Sequence, residues 1–334
     1  MSITIDDNKV DDEKIDRALR PKCFDDYIGQ ADLLKKLEIC IEAAKNRKDP
    51  LDHILLSGPP GLGKTTIGNI IAEEYGCKCK IVNAPSISSV GDLIELLHKQ
   101  NKNDILFIDE IHRLSNKIGE VLYPAMEDYK LDMKLGNKEV VSIKIKPFCL
   151  IGATTHPGLM PQPLRDRFGI SYNMQFYEND ELAKIIEANA SKLNLNIKDK
   201  TVYINIAKRS RGIPRLANRL LRRVRDYAEV NNDGIVNNNT VNLAASLEGI
   251  DENGFSKADI SYMDILFGIY NCGPVGVQAI SSSIGEDKST VEEYIEPFLV
   301  REGMIARTKQ GRILTAKGME YVLSGNKYQT TMDT

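Results

Sequence analysis

The chain has 334 residues, 42% of them hydrophobic and 27% charged, with a formal net charge of -3. That length outgrows a single core, so two or three domains of ordinary globular composition are expected. No apolar run approaches the roughly 18 residues that cross a bilayer, and a mildly acidic chain must hold any nucleic acid through local basic patches rather than through its overall field.

Residues 1–16 carry Asp6, Asp7, Asp11, Asp12, Glu13 and Asp16 and no apolar stretch. They read as a frayed tail, not a secretory signal. Cys23, Cys40, Cys77, Cys79, Cys149 and Cys272 form no C-x-x-C pair and sit beside no histidine cluster. Zinc and disulfide frameworks are therefore poorly supported, and a reducing cytoplasm suits the pattern. His53 to Ser57, Lys80 to Val82, Ile105 to Ile108 and Cys149 to Gly152 are short apolar runs separated by helical spacing such as Ile67, Ile70, Ile71 and Tyr75. Short runs between helices predict buried parallel strands and an α/β fold.

The first run leads into Gly58-Pro59-Pro60-Gly61-Leu62-Gly63-Lys64-Thr65, which satisfies G-x-x-x-x-G-K-[ST] between a strand and an amphipathic helix. Gly61 and Gly63 let backbone N–H groups turn inward around phosphate oxygens. Lys64 reaches the β- and γ-phosphates, the Thr65 hydroxyl helps hold Mg²⁺, and Thr66 adds a phosphate contact. Ile105-Leu106-Phe107-Ile108-Asp109-Glu110 supplies the second half. Asp109 suits the metal and Glu110 the attacking water. Alone, such a strand end is more often two solvated acids; beside the phosphate loop the catalytic reading is the better one.

Residues 131–148 break the α/β rhythm. Leu131, Met133, Leu135, Val141, Ile143 and Ile145 alternate around Gly136-Asn137, which predicts an inserted β-hairpin. From Glu178 to about Ile250 the spacing is helical, with Arg215, Arg219, Arg222, Arg223 and Arg225 on one helix. Most of these arginines read as a solvated or subunit-facing surface. Beyond Asp251, Ser289 with Glu292 forms a capping box ahead of an apolar stripe from Val291 to Leu299. Then Arg301, Arg307, Lys309, Arg312 and Lys317 face only Glu302 across a short hairpin, a local +4. Helices followed by a basic hairpin predict a winged helix whose wing neutralises DNA phosphates. A plain solvated hairpin is the competing reading.

Further segments narrow the ATPase class. Leu19-Arg20-Pro21, Tyr27-Ile28-Gly29-Gln30, Ile108-Asp109-Glu110-Ile111-His112-Arg113-Leu114, Leu122 to Tyr129, Gly152-Ala153-Thr154-Thr155, Pro163 to Gly169 and Arg211 to Arg219 occur in this order. The set resembles the RuvB family of AAA+ ATPases over about residues 17–322. The resemblance implies an ATP-dependent motor that drives Holliday junction branch migration in recombination and DNA repair. It makes Thr154 or Thr155 the sensor hydroxyl, with Thr155 favoured. It makes Arg167 the arginine finger acting on a neighbouring subunit's ATP, with Arg165 as competitor. Arg215 becomes a second sensor of the γ-phosphate; Leu19, Arg20, Glu127, Asp128, Tyr129 and Tyr177 border the nucleotide; Arg307 and Arg312 contact DNA.

The same resemblance implies a homohexamer acting on duplex arms with a RuvA-like junction-binding protein, docked on the hairpin, and with a RuvC-like resolvase. A hairpin packed on its own domain is the alternative. Departures are the short hairpin turn, His156-Pro157 in place of a commoner Arg-Ala, and Asn271-Cys272 where glycines are usual. The expected architecture is a large AAA+ domain with a parallel sheet (1–178), a small helical lid (179–250) and a winged-helix head (251–334). Two rival functions stay open: an AAA+ initiator or loader using ATP as an assembly switch, and a DNA-binding regulator with a vestigial pocket.

Overall fold

The computed structural model describes residues 18–135 and 139–325; the acidic stretch at 6–16 and the Gly136-Asn137 turn lie outside them. The chain forms two compact units, Met1–Tyr177 and Glu178–Thr334. In the first, β1 (Ile54–Ser57), β2 (Cys79–Asn83) and β3 (Ile105–Asp109) precede the hairpin strands β4 (Lys130–Leu135) and β5 (Glu139–Lys144), and β6 (Cys149–Thr154) and β7 (Ile170–Asn173) follow. The sheet is parallel, in the order β2-β3-β6-β1-β7.

The central strands are the most apolar because both faces are covered. Ile54, Leu56, Ile105, Leu106, Phe107, Ile108, Leu150 and Ile151 are buried, each contributing about 1.5–3 kcal/mol relative to exposure. The edge strands β2 and β7 instead mix half-buried and exposed residues, with none fully buried. Short, polar β7, with Ser171 and Asn173, gives no strand signal in the sequence; pairing along β1 forms it. Helix Lys64–Tyr75 lays Ile67, Ile70 and Ile71 on the sheet. Gly68 is required there, since a Cβ would come 2.5 Å from the Phe107 ring.

His53 pins three elements at the start of β1. Leu150 N–H donates to its Nδ1 at 2.9 Å, and its Nε2 meets the Met126 carbonyl at 3.0 Å. The inserted hairpin is antiparallel, from Lys130↔Lys144 to Leu135↔Glu139. Its base belongs to the domain core, because Leu131 and Ile145 are buried there with Phe148. Ile145 is therefore packed in its own domain and is not part of any docking surface on the hairpin; Ile143 is only half-buried.

The second unit begins with helices Asn179–Lys192, Thr201–Lys208, Pro214–Asn231 and Asn238–Leu247, tied by the two-residue strands β8 (Asn196–Ile197) and β9 (Ile235–Val236). Helices Lys257–Gly268 and Val277–Ile284 follow, then a helical run over 288–301 with a π turn at Val291–Ile295. A two-stranded wing, β10 (Ile305–Thr308) and β11 (Gly311–Leu314), and helix Ala316–Leu323 complete it. Tyr262, Met263, Leu266, Ile280, Val291 and Leu299 form the core of this part.

The capping box expected at Ser289 and Glu292 is not formed. Asp287 is the cap: its carboxylate accepts from Thr290 N at 3.0 Å, and Ser289 Oγ donates to it as well. Hydrogen bonds from Ser289 Oγ, Thr290 Oγ1 and Thr290 N hold the Asp287 carboxyl well below its ordinary value. Arg211 joins the two parts of this unit. Its guanidinium pairs with fully buried Asp259, donates to the Gly254 carbonyl at 2.9 Å, and lies 4.4 Å from the Phe298 ring centroid.

Candidate active site and nucleic-acid interface

The phosphate loop is held from inside the protein. Lys64 is buried, and its ammonium donates to the carbonyls of Gly58 at 2.7 Å and Pro59 at 3.0 Å. Gly63 has φ of +102°, and a Cβ there would come 2.9 Å from the Tyr27 hydroxyl, so only glycine keeps both the turn and the tyrosine. Tyr177 donates to the Tyr27 hydroxyl at 2.9 Å, and both approach the Leu62 carbonyl. The two buried tyrosines therefore brace the loop from below. Burial and the neighbouring phenol push the Tyr27 hydroxyl well above its ordinary value, so it stays a neutral hydrogen-bonding group.

Thr65 and Thr66 follow on the first turn of the helix, half-buried. Asp109 ends β3, where its Oδ1 accepts from Glu110 N at 3.0 Å. Among the described residues no group of three or more His, Cys, Asp or Glu side chains could hold a metal by itself. One hydroxyl and one carboxylate are a hard oxygen set of the kind that shares Mg²⁺ with phosphates and water. The residues thus fit the ion as a companion of bound nucleotide. All six cysteines are free thiols, and burial pushes Cys77 up to about 12 and Cys79 to about 11.

Glu110 turns away from the strand with φ of +50°. Thr155 donates to its Oε2 twice, from Oγ1 at 3.0 Å and from N at 3.3 Å. Thr154 is fully buried, with Oγ1 against His112 Nδ1 at 2.9 Å. Of the two threonines, Thr155 is the one whose hydroxyl meets the acidic box. Gly152, three residues before Thr155, must be small, because a Cβ would come 3.0 Å from Ile111 and from Phe168. Of the histidines around Glu110, His156 stands out in the sequence only as a departure from the family pattern, and His112 only as part of the acidic-box segment. Their signal was position alone, one next to each chemical motif.

Arg167 is placed by the turn after Pro163. Its guanidinium pairs with Glu127 at 3.0 Å, donates to the Pro163 carbonyl at 2.5 Å and lies 4.6 Å from the Tyr123 ring centroid. Arg165 donates to Gln162 instead. Asp128 pairs with Lys130 at 3.6 Å, and Tyr129, at φ of +53°, sets its ring against Phe148. Leu19 is buried and Arg20 exposed. Arg215 is exposed at the second position of helix Pro214–Asn231, in the other compact unit.

In the wing, Arg307 and Arg312 face each other across β10 and β11. Both bind Glu296, a fully buried carboxylate on the preceding helical run: Arg307 Nε at 2.7 Å and Arg312 Nε at 2.9 Å. Arg312 also meets Glu292 at 2.9 Å, and Tyr262 donates to Glu296 at 2.9 Å. Burial works against the charge on Arg312, but its hydrogen bonds to Glu296 and Glu292 hold its pKa above the ordinary value. The Arg307 side chain is 46% exposed and that of Arg312 17%, so Arg307 has more surface for a phosphate.

Three family models match in succession: the Holliday junction DNA helicase RuvB P-loop domain over residues 19–174, the RuvB AAA lid domain over 177–251 and the RuvB C-terminal winged helix domain over 252–323. The chain is 49% identical over 323 residues to a Holliday junction branch migration complex subunit RuvB from Campylobacter hominis, covering 96% of this chain and 94% of that one. It is also similar to the solved Thermotoga maritima RuvB Holliday junction branch migration motor, with a TM-score of 0.83 and 42% identity. That match covers 91% of this chain and 98% of the other. A single-residue variant of the same motor gives a TM-score of 0.84 at 41% identity, with the same coverage.

Proposed function

The chain belongs to the RuvB family of ATP-driven Holliday junction branch migration motors, and we propose how its residues divide that work. The observation that carries the proposal is the pairing of a buried, loop-held Lys64 with a Glu110 carboxylate anchored by Thr155. The backbone N–H groups around Gly61 and Gly63 and the Lys64 ammonium bind the phosphates of ATP, and Thr66 adds a hydroxyl. Thr65 and Asp109 hold Mg²⁺, which neutralises phosphate charge when bound. Glu110 takes the proton of the attacking water, and Thr155 keeps that carboxylate in place. Leu19, Arg20, Asp128, Tyr129 and Tyr177 border the nucleotide.

Arg167 is half-buried on its own domain, its side chain 22% exposed, held by Glu127 and stacked on Tyr123. An arginine ordered by these contacts, with part of its guanidinium still accessible, suits a finger offered to the next subunit, where it stabilises transition-state charge. A finger that acts in trans needs an oligomer, and the proposed form is a homohexameric ring. Arg215 reports the γ-phosphate to the helical lid, whose movement then follows the nucleotide state. The wing, led by Arg307, tracks duplex phosphates without reading bases. The proposed partners are a RuvA-like junction-binding protein, meeting the hairpin beyond its packed base, and a RuvC-like resolvase, in the cytoplasm.

ATP turnover on duplex DNA tests the site assignment. Lys64→Ala is expected to lose nucleotide binding and turnover together. Glu110→Gln should keep nucleotide and lower kcat by about 100-fold or more. A Glu110→Gln protein turning over at the wild-type rate sinks the assignment of the base.

A further inference from the structure

Glu110 is anchored through one oxygen only. Thr155 Oγ1–H, Thr155 N–H and His112 Nδ1, the last at 3.3 Å, all converge on Oε2. Oε1 takes no hydrogen bond from the described residues. One oxygen holds the carboxylate still while the other is available to a water proton. The anchor is only as good as the direction of the Thr155 hydroxyl, because a hydroxyl has one proton to give.

That direction is set by His156. Its Nδ1 lies 2.8 Å from Thr155 Oγ1, and its backbone N–H donates to Thr154 Oγ1 at 3.0 Å. With Glu110 ionised, one proton placement satisfies every short contact: His156 Nδ1–H donates to Thr155 Oγ1, and Thr155 Oγ1–H donates to Glu110 Oε2. The reverse placement, with the hydroxyl proton turned to His156, leaves two oxygens facing each other at 3.0 Å with no proton between them. The His112 ring stands edge-on to His156 at 5.2 Å and holds that ring in position. His112, 10% exposed, is the second imidazole of the same cluster, touching Thr154 and Glu110.

We infer that His156 is a positioning residue for ATP hydrolysis, acting through Thr155 to hold the Glu110 carboxylate with Oε1 presented to the attacking water. The inference rests on the assignment of Glu110 as the base. The His156 contacts that carry the role are with Thr155 and Thr154 beside the acidic box, so its loss should slow chemistry without loosening nucleotide. Such a signature, kcat falling with KM unchanged, marks an interaction used only in the transition state.

The test compares His156→Leu and His156→Asn with the wild type in steady-state ATPase assays on duplex DNA, alongside binding of a fluorescent ADP. His156→Leu keeps bulk and deletes the donor; it should lower kcat roughly tenfold, leaving KM and ADP affinity unchanged. His156→Asn returns an amide N–H near the place of Nδ1 and should recover most of that loss. In a Thr155→Val background, His156→Leu should add little further loss, since the two act as one unit. A wild-type kcat in His156→Leu overturns the role. So does an Asn variant as slow as the Leu variant, or fully additive losses with Thr155→Val. Glu110→Gln is run beside them: its turning over normally overturns the base assignment as well, whereas an inactive Glu110→Gln beside a normal His156→Leu removes only the positioning role.

Discussion

Arg167 and His53 show how differently two polar side chains can be used within one domain. The Arg167 guanidinium is held at the surface by Glu127, the Pro163 carbonyl and the Tyr123 ring. None of these contacts joins it to the phosphate loop of its own chain. Arg167→Ala should therefore leave ADP binding intact while lowering kcat by about 1,000-fold; normal turnover in that variant contradicts the finger assignment. His53 is the opposite case, buried and structural. Because Leu150 N–H donates to Nδ1, that nitrogen carries the lone pair and the ring is neutral. Burial lowers its pKa below the ordinary 6.5. The unfolded chain then takes up a proton first as pH falls. Stability is full above about pH 6.5 and declines as pH drops through the folded value. Urea midpoints at pH 7.5 and 5.5 should diverge less in His53→Gln than in the wild type, and an equal divergence would show that His53 is not a source of the acid sensitivity. The motif residues were legible in the sequence because their spacing is imposed by phosphate chemistry. His53, His112 and His156 were not, since a lone histidine has no spacing to read and its role depends on what the fold brings opposite it.

Among elements, the wing separates two arginines that sequence treats alike. Composition revealed the basic hairpin but not the buried Glu296 behind it, because the carboxylate meets the wing only once the helical run 288–301 packs against β10 and β11. Arg307, the more exposed, should act mainly on DNA. Arg307→Ala is expected to weaken duplex binding equally across sequences and to reduce the slope of log affinity against log salt by about one. Arg312 closes the network on Glu296 and Glu292. Arg312→Ala should cost about 1–3 kcal/mol of stability in urea melts, since it leaves a buried carboxylate short of a partner. Identical behaviour of the two variants in both assays contradicts this division. The inserted hairpin teaches a similar lesson. Alternation correctly placed its strands, but Leu131 and Ile145 face the core rather than a partner, and period-two patterning cannot say which apolar face is already covered. β7 left no signal either, being four residues long with Ser171 and Asn173 facing out.

At the scale of the molecule, the α/β core and the helical second unit follow from patterning that any reader of the sequence can apply, and the central strands fall where the apolar runs predict. Assembly is a different matter, because the proposed trans-acting arginine and its target would lie on separate copies. Mixing Lys64→Ala with Arg167→Ala chains should restore part of the DNA-stimulated ATPase activity. Intact Arg167 from the first then faces intact Lys64 from the second. A mixture no more active than either protein alone would count against catalysis across a subunit interface. The most direct measurement is strand exchange on a synthetic four-way junction with ATP and Mg²⁺, with and without a RuvA-like junction-binding protein. ATP-dependent movement of the junction, stimulated by that protein and abolished in Lys64→Ala, is the predicted result. Hydrolysis of ATP on the same junction with no movement under either condition would contradict a branch migration motor.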